Sequence, residues 1–277
     1  MKKIVFVLLA VGSVFISNAQ VTKSCCISSA NEEFSSLSRN ADFVKSHEEP
    51  LPFTFKGNGK DVYFKTSDGK QAHAWEIKAA KPTNIYLLVI HEWWGLNDYV
   101  KQQGEKMCSD LGINILALDL YDNNVAQTRE DAAKYMQSVK QERAAAIIKG
   151  AFDYAGDKAE FFTIGWCFGG GWSLQTALEA GNRCKGCIMF YGMPEENISR
   201  LKTLSCDVLG IFAEKDEWIN KDVVTKFEAN MKDAGKKLIV AEYDADHAFA
   251  NPSNPHFDKE AAEDAYNKVK DFIKTRI

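Results

Sequence analysis

The residues with the clearest chemical potential are Gly165-Trp166-Cys167-Phe168-Gly169-Gly170. They follow an apolar, strand-like run at 161–164 and precede a helix-like stretch at 171–180. The G-x-C-x-G spacing at such a junction is typical of a nucleophile elbow, with cysteine where serine is usual. The backbone of so sharp a turn is strained, and glycines two residues before and after the nucleophile avoid clashes with the following helix. Because the adjoining helix N-terminus favours thiolate over thiol, Cys167 is the candidate nucleophile.

A glycine-rich turn between a strand and a helix also binds phosphates or dinucleotides in other proteins. The glycines around Cys167 match neither G-x-G-x-x-G nor the P-loop pattern, so neither function is favoured. A structural alternative stays open, because free cysteine is among the residue types most often buried. In that alternative Cys167 is a core residue beside a tight turn.

A nucleophilic cysteine needs a base beside it and an acid that orients the base. After an elbow of this kind, the order along the chain is nucleophile, acid, base. Asp216 follows a strand-like run at 208–213, and His247 follows another at 238–243. Cys167, Asp216 and His247 therefore occur in the expected order, each just after a predicted strand. We predict that these three residues form a catalytic triad.

Other residues compete for the acid and base roles. The alternative acids are Asp207, Glu214 and Glu217. His256 is an alternative base, although it lies where the last predicted helix begins. His91 directly follows a predicted strand and is placed to face the site, whereas His47 and His73 lie far upstream.

Glu92 follows the strand-like run at 85–90, where the loop that supplies an oxyanion hole is usually found. The backbone N–H groups of Trp93 and Phe168 are the two predicted donors to the oxyanion. Glu92 itself is either a surface carboxylate or a carboxylate that hydrogen-bonds the Cys167 thiol. Both interpretations are compatible with the sequence.

Strand-like and helix-like stretches alternate from about residue 85 to the end of the chain. This alternation predicts an α/β fold with a mainly parallel, doubly wound sheet flanked by helices, as a three-layer sandwich. Ser67-Asp68-Gly69-Lys70 separates two earlier strand-like runs and predicts a β-hairpin. We assign residues 58–277 to this domain and residues 20–57 to a polar N-terminal arm.

Length and composition indicate one large globular domain. The chain has 277 residues, of which 45% are hydrophobic and 26% charged, and a net charge of −4. This composition gives no sign of a basic nucleic-acid-binding surface. We therefore expect no nucleic-acid partner.

Residues 1–19 have the pattern of a secretory signal peptide. Lys2 and Lys3 precede an apolar run at 4–15, and Ser17-Asn18-Ala19 supplies small residues for cleavage before Gln20. The apolar run is short for a membrane-spanning helix. We predict export, with a bacterial periplasm as the expected location and no membrane association after cleavage.

The seven cysteines are an odd number, so in an oxidising compartment at least one thiol stays free unless chains pair with one another. Cys167 is the candidate for that free thiol. Cys184 and Cys187 form a C-x-x-C that lacks a second C-x-x-C or a nearby histidine pair, so a zinc site there is not expected. We interpret this motif as structural, with a bridge as one option. We expect no metal and no cofactor. The sequence leaves open the disulfide pairing among the six other cysteines, which are Cys25, Cys26, Cys108, Cys184, Cys187 and Cys206.

The chain from about residue 58 to 277 resembles the dienelactone hydrolase family within the α/β-hydrolase fold. Five segments carry the resemblance: His91-Glu92-Trp93-Trp94-Gly95-Leu96-Asn97, Asp119-Leu120-Tyr121, the elbow at 165–170, Gly210-Ile211-Phe212-Ala213-Glu214-Lys215-Asp216, and His247-Ala248-Phe249. The resemblance implies a triad of Cys167, His247 and Asp216. It also implies that Glu92 holds the thiol in the resting enzyme and releases it when substrate binds. The family chemistry is attack on a lactone or ester carbonyl, an acyl-thioester intermediate and its hydrolysis.

Two positions depart from the family pattern. Members that act on dienelactone clamp the substrate carboxylate with two arginines, and the corresponding residues here are Asn123 and Asn251. Loss of two guanidinium groups removes bidentate, charge-assisted recognition, so we expect a substrate other than dienelactone. Aromatic residues are the alternative pocket lining, with about half of them expected in the core. They are Trp93, Trp94, Tyr121, Trp166, Tyr191, Trp218 and Phe249.

The sequence thus predicts an exported hydrolase of a small-molecule lactone or carboxylic ester, as a monomer or weak homodimer. The main alternative is a non-catalytic small-molecule-binding protein on the same scaffold. A thiol redox protein is disfavoured, because neither the Cys184–Cys187 motif nor the adjacent Cys25 and Cys26 lies in a thioredoxin-like context.

Overall fold

Eight strands form one sheet in the computed structural model, which describes residues 29–277. The predicted signal peptide at 1–19 lies outside the described residues, as do Cys25 and Cys26. In chain order the strands are β1 (Lys60–Lys65), β2 (Gln71–Ile77), β3 (Ile85–Ile90), β4 (Asn114–Leu118), β5 (Glu160–Trp166), β6 (Cys184–Phe190), β7 (Val208–Ala213) and β8 (Leu238–Tyr243).

The spatial order of the strands is β1-β2-β4-β3-β5-β6-β7-β8. Strands β3 to β8 pair in parallel, whereas β2 pairs antiparallel with both β1 and β4. β1 and β2 are joined by the predicted hairpin turn, in which Gly69 takes a φ of 81° that side chains disfavour. The prediction of a mainly parallel sheet is therefore confirmed.

Nine α-helices accompany the sheet within residues 29–277. They are α1 (Ser29–Leu37), α2 (Ala41–Ser46), α3 (Asp98–Leu111), α4 (Arg129–Ser138), α5 (Gln141–Ala155), α6 (Phe168–Ala180), α7 (Ile198–Leu201), α8 (Lys221–Asp233) and α9 (Lys259–Lys274). α3 packs on β2 and β4 and against α9, whereas α6 packs on β3, β5 and β6 and against α5. The sheet therefore lies between two helical layers, as the sequence predicts. None of these helices is both long and apolar enough to span a membrane.

The central strands are buried on both faces because helices cover both sides. All five residues of β4 are buried, and five of the six residues of β3 are buried. Such continuous apolar runs are typical of parallel strands in doubly wound sheets. The polar residues Glu92, Cys167, Asp216 and His247 follow β3, β5, β7 and β8, so they gather at the carboxyl-end edge of the sheet.

The N-terminal arm packs over the carboxyl ends of these strands through α1 and α2. Asn40 caps α2, because its side-chain oxygen accepts hydrogen bonds from the backbone N–H groups of Asp42 and Phe43. The Phe43 side chain is fully buried, with its ring 5.4 Å from that of Trp93 and 5.3 Å from that of Trp218. The sequence of the arm predicts one short helix near residues 32–38, which corresponds to α1, and does not predict α2.

Three helices differ in detail from the predictions. α6 begins at Phe168, directly after the elbow, rather than at Gly171. In α8 the spacing of apolar residues predicts that Val223, Phe227 and Met231 share one face, but the structure buries Val224 in place of Val223. In α9 the spacing of apolar residues predicts that Ala262 and Tyr266 are buried with Val269, Phe272 and Ile273. The structure instead buries Ala265, while Tyr266 stays half-buried because its hydroxyl reaches the surface and donates to Asp110 at 2.9 Å.

Candidate active site

Cys167 occupies a strained turn between β5 and α6. Its φ of 54° and ψ of −118° lie in a region that non-glycine residues rarely adopt. The turn is tight enough that a Cβ at Gly165 would lie 2.0 Å from the carbonyl oxygen of Gly169. A Cβ at Gly169 would lie 2.4 Å from the carbonyl oxygen of His91. The two glycines are thus required for the close approach that the elbow predicts.

The structure brings Asp216 and His247 together beside Cys167. The distance from His247 Nδ1 to Asp216 Oδ2 is 2.5 Å, and the other Asp216 oxygen accepts from the backbone N–H groups of Trp218 and Ile219, each at 2.9 Å. The Nε2 atom of His247 lies within 4.8 Å of Cys167 Sγ. The carboxylate therefore orients the imidazole so that its second nitrogen faces the thiol.

Asp216 and His247 each stabilise the charged form of the other. Burial disfavours the carboxylate of Asp216, but the His247 charge and the hydrogen bonds to that carboxylate prevail and lower its pKa. Burial likewise disfavours the imidazolium of His247, but Asp216 and Cys167 prevail and raise the pKa of His247 well above its ordinary value. His247 therefore holds a proton readily next to the thiol.

The competing acids and bases are placed elsewhere. Glu214 and Glu217 are exposed, and Asp207 pairs with Arg276 at 2.6 Å and with Lys237 at 3.3 Å. The side chain of His256 is about half exposed and lies 3.3 Å from Asp246. The ring of His91 contacts the carbonyl oxygen of Glu92 at 2.8 Å and accepts from the N–H of Leu120 at 3.1 Å, so it braces two loops.

Glu92 is buried beside the triad, and its carboxylate accepts a hydrogen bond from the Nδ2 of Asn251. The Oδ1 of Asn251 accepts from the N–H of Ser253 at 2.8 Å and from its hydroxyl at 2.7 Å, which fixes the amide orientation. Burial raises the pKa of Glu92 to about 7, although the charge of His247 and the Asn251 bond oppose the shift. Within residues 29–277, this carboxylate bonds to Asn251 rather than to the thiol. The expected hold of Glu92 on Cys167 is therefore not the arrangement seen here.

His47, from the N-terminal arm, also contacts the thiol. Its Nε2 lies 3.9 Å from Cys167 Sγ, and its Nδ1 contacts the carbonyl oxygen of Phe43 at 2.7 Å. The ring stacks on Trp93 with centroids 4.6 Å apart. Burial and the charge of His247 lower the pKa of His47 to about 3, so its ring is neutral. Sequence reasoning missed His47, and the apolar Phe34 and Phe43 in a polar arm were the available signal that this segment docks.

The predicted pocket residues separate into three groups. Trp166, Asn251 and Glu92 line a cavity of about 230 Å³ between β5, α3 and α9. Trp218 is half-buried against the arm, and Asn123 is exposed. The remaining aromatic residues are buried in the core: Trp93, Trp94, Tyr121, Tyr191 and Phe249. Two of them still touch the site, because the Tyr191 ring lies 4.9 Å from that of His247 and the Trp93 ring stacks on that of His47.

The two predicted oxyanion donors come from the elbow and from the loop after β3. Phe168 is the first residue of α6, where backbone N–H groups have no partner within the helix. Trp93 is in the loop after β3, and its carbonyl oxygen accepts from the Tyr121 hydroxyl at 3.3 Å. Their role as an oxyanion hole stays a prediction.

The other described thiols lie away from this site. Cys184 and Cys187 both belong to β6, where residues three apart point to opposite faces, so these two do not approach each other. Instead the thiol of Cys206 lies 3.3 Å from that of Cys184. Cys187 Sγ is 3.6 Å from the hydroxyl oxygen of Ser173. A bridge within the C-x-x-C is therefore excluded by geometry.

Comparisons with known proteins agree with this architecture. The family model described as "Dienelactone hydrolase family" matches residues 74–277. "Protein usf" of Aquifex pyrophilus is 29% identical over 201 residues, which cover 68% of this chain and 87% of that protein. The carboxymethylenebutenolidase of a Pseudomonas species is 24% identical over 206 residues, covering 68% and 83%.

Solved structures show the same fold. A dienelactone hydrolase-like promiscuous phosphotriesterase from metagenomic libraries superposes with a TM-score of 0.64 at 18% identity, covering 79% of this chain and 99% of that chain. The elbow, the sheet order and the family match over most of the chain lead to one assignment. This chain belongs to the dienelactone hydrolase family and is a hydrolase with the α/β-hydrolase fold.

Proposed function

We propose that the protein hydrolyses a small-molecule lactone or carboxylic ester through a triad of Cys167, His247 and Asp216. The observation that carries the proposal is the 2.5 Å contact between Asp216 and His247, with the second imidazole nitrogen directed at a thiol on a strained elbow. This is the arrangement in which a base activates a nucleophile and an acid orients the base.

In the proposed first step, Sγ of Cys167 attacks the substrate carbonyl carbon, and its proton resides on His247 Nε2. The amides of Trp93 and Phe168 donate to the oxygen of the tetrahedral intermediate. Collapse of that intermediate breaks the bond to the leaving oxygen, which takes the proton from His247. For a lactone the alcohol so formed stays attached to the acyl chain. The product of this half-reaction is an acyl thioester on Cys167.

In the second half-reaction, a water molecule attacks the thioester carbonyl while His247 accepts its proton. The bond to Sγ then breaks, the acid product leaves and the proton returns to the thiol. Asp216 keeps the imidazole in the required orientation and stabilises its charged form in both steps. The raised pKa of His247 suits a group that carries a proton between two bonds.

We propose a compact, mainly apolar substrate rather than dienelactone. Neither Asn123 nor Asn251 supplies a guanidinium, and Asn251 is already bound to Glu92. The cavity of about 230 Å³ beside Glu92 has mostly apolar walls, which include Trp166, Phe190 and Met107. A Pseudomonas relative is named a carboxymethylenebutenolidase, and loss of charge recognition at two positions supports a different substrate here.

We also propose that the protein is exported after cleavage between Ala19 and Gln20, and that it acts in a bacterial periplasm as a monomer or weak homodimer. The signal-peptide pattern of residues 1–19 supports the export proposal. N-terminal sequencing of the protein secreted by an expressing bacterium tests it. A mature chain that begins at Gln20 supports export, and a chain recovered only with Met1 contradicts it.

The reaction is tested by intact-mass spectrometry after brief exposure to p-nitrophenyl acetate. We expect a transient acetyl adduct on the wild type and on Cys206→Ala, which removes a thiol outside the site. Cys167→Ala should show no adduct and no turnover, while its thermal unfolding stays cooperative.

Two outcomes would contradict the proposal. Full hydrolysis by Cys167→Ala would show that this thiol is not the nucleophile. Absence of any adduct across a panel of esters and lactones would favour the alternative of a non-catalytic binding protein.

A further inference from the structure

Three soft donor atoms from separate parts of the chain meet at the candidate active site. They are Sγ of Cys167 and the Nε2 atoms of His47 and His247, all within 4.8 Å of one another. The family match begins at residue 74, so His47 comes from an arm that lies outside it. The conjunction is therefore a property of this chain rather than of the matched family segment.

Both imidazoles are oriented with Nε2 toward the thiol. The Nδ1 of His247 faces the Asp216 carboxylate at 2.5 Å, and the Nδ1 of His47 faces the Phe43 carbonyl oxygen at 2.7 Å. Each partner accepts a hydrogen bond from Nδ1, so the lone pair of the neutral His47 ring lies on Nε2. His247 offers the same lone pair once any proton on its Nε2 has left. A histidine that binds metal through one nitrogen characteristically donates its other N–H to a carboxylate or a backbone carbonyl.

The donor atoms are buried, and among the described residues the Nε2 of His247 makes no hydrogen bond that a metal would have to displace. The thiol of Cys167 is about 1% exposed. A thiolate with two neutral imidazoles matches the ligand preference of Zn²⁺, whose bonds are about 2.3 Å to sulfur and 2.0–2.1 Å to nitrogen. Glu92 is bound to Asn251, so the donor set has no carboxylate that would favour a hard cation.

We propose that His47, Cys167 and His247 form a three-ligand site for a zinc-class divalent cation. Binding forms one metal–sulfur and two metal–nitrogen bonds and releases to solvent one proton, the one carried either by the thiol or by the Nε2 of His247. The fourth position of the tetrahedron is open to water. A bound cation occupies both the nucleophile and the base, so it also blocks acylation. Only this inhibitory consequence rests on the proposed function.

Some of the charges near the site favour a bound cation and others oppose it. Asp216 supports the His247 ligand from behind, as a carboxylate does in many zinc sites. The guanidinium of Arg129 opposes a cation, because its charge already disfavours protonation of His47. The thiolate that replaces the thiol supplies the negative charge that offsets it.

The test is a titration of the reduced full chain with Cd²⁺, followed by its thiolate-to-metal charge-transfer absorption, and then competition with Zn²⁺. We expect saturation at one Cd²⁺ per chain in the background Cys25→Ser, Cys26→Ser, Cys206→Ser, which removes the adjacent N-terminal thiols and the close contact between Cys206 and Cys184. In that background Cys167→Ser should lose the band. His47→Gln should weaken binding at least about 10-fold, since loss of even a supporting group costs that much at metal sites.

His256→Gln is the matched control, because His256 is a surface histidine outside the cluster, and its affinity should equal that of the parent. If His47→Gln fails to fold in thermal melts, Asp216→Asn replaces it and should weaken Cd²⁺ binding about 10- to 100-fold.

Two results would overturn the proposal. One is the absence of a saturable Cd²⁺ band in the parent, and the other is an unchanged affinity in His47→Gln, or in Asp216→Asn where His47→Gln does not fold. Cd²⁺ binding without hydrolysis would contradict the proposed function alone. Hydrolysis that is indifferent to Zn²⁺, with no Cd²⁺ band, would contradict the metal site alone.

Discussion

Two thiol clusters lie at opposite ends of the parallel strands and differ in the residues that surround the sulfur atoms. The first, which we call the catalytic cluster, consists of Cys167, His247, Asp216 and His47 at the carboxyl end of β5 and its neighbours. The second, the thiol pair, consists of Cys184 at the amino end of β6 and Cys206 before β7, with sulfurs 3.3 Å apart. Cys167 and Cys184 are both buried, so burial alone does not distinguish them.

The neighbours of each sulfur decide its chemistry. In the thiol pair, the hydrogen bond between Cys206 and Cys184, together with burial, raises the pKa of Cys206 far above its ordinary value. Burial also raises the pKa of the nearby Cys187 to about 12. In the catalytic cluster, by contrast, the neighbour is an imidazole whose raised pKa favours a positive charge beside the sulfur. We therefore expect nucleophilic reactivity at Cys167, where an imidazolium and its carboxylate accompany the sulfur, and not in the thiol pair.

The same substitution, Asp to Asn, tests the difference between the two clusters when it is made at Asp216 and at Asp207. Asp216 orients His247, whereas Asp207 follows Cys206 and pairs with Arg276. We expect Asp216→Asn to lower kcat by about 10⁴-fold, as loss of an orienting carboxylate does in comparable triads. Asp207→Asn should leave kcat within about 2-fold of wild type. Equal effects of the two substitutions on ester hydrolysis would show that Asp216 has no orienting role.

Alkylation with iodoacetamide compares the sulfurs directly. Only thiolates react appreciably, and a thiol with a pKa of about 12 is ionised to roughly one part in 10⁵ at pH 7. We expect Cys167 to react at least about 100-fold faster than Cys184, Cys187 or Cys206, with activity lost in step. Peptide mapping over time measures each rate. Labelling of Cys206 before Cys167 would contradict the prediction that Cys167 is the more reactive thiol.

Glu92 extends the comparison to stability, because this buried acid lies beside the catalytic cluster. The pKa of Glu92 rises from 4.5 to about 7 on folding, so the folded state holds this proton more tightly than the unfolded state. Its contribution to stability is therefore most favourable below pH 4.5 and is lost as pH rises through 7. At pH 8 the cost is roughly 3 kcal/mol.

Glu92→Gln should remove that cost while keeping an oxygen that accepts from Asn251. We expect the free energy of unfolding at pH 8 to rise by roughly 3 kcal/mol, and the difference from wild type to disappear near pH 4. Urea denaturation at both pH values measures it. Glu214→Gln is the control, since Glu214 is exposed. A gain that is the same at both pH values would show that ionisation is not its cause.

The sequence was sufficient for the parts of the site that chain order and strand ends determine. Cys167, Asp216 and His247 each follow a strand, and parallel strands place their carboxyl ends at one edge, so their proximity could be predicted. The helices that carry this frame have clear periodicity and caps. Thr128 and Asn220, for example, cap α4 and α8 with side-chain oxygens.

The contacts that were missed depend on packing between distant segments. α2 has six residues and is too short to be stable alone, so it exists because Phe43 packs against Trp93 and Trp218. Its docking brings His47 to Cys167 across 120 residues of sequence. The Glu92–Asn251 bond spans 159 residues and replaces the expected contact with the thiol. No local pattern encodes either pairing.

The smallest expected effect on catalysis concerns the thiol pair itself. Oxidised glutathione should convert Cys184 and Cys206 to a disulfide, because their sulfurs need only move from 3.3 Å to about 2.05 Å. One thiolate attacks the reagent and releases one glutathione, and the second thiol then displaces the other, so two hydrogens leave the protein. Cys206 is half-buried and therefore within reach of the reagent.

We expect the oxidised protein to keep its rate of ester hydrolysis within about 2-fold. The disulfide forms at the amino ends of the strands, whereas the candidate active site lies at their carboxyl ends. Its free energy of unfolding should rise by up to about 3 kcal/mol, since the disulfide closes a loop in the unfolded chain. Intact mass and urea denaturation before and after oxidation measure both effects, with Cys206→Ser as the control that cannot close the loop. Loss of activity on oxidation of the wild type but not of Cys206→Ser would show that the two clusters are coupled through β5 and β6.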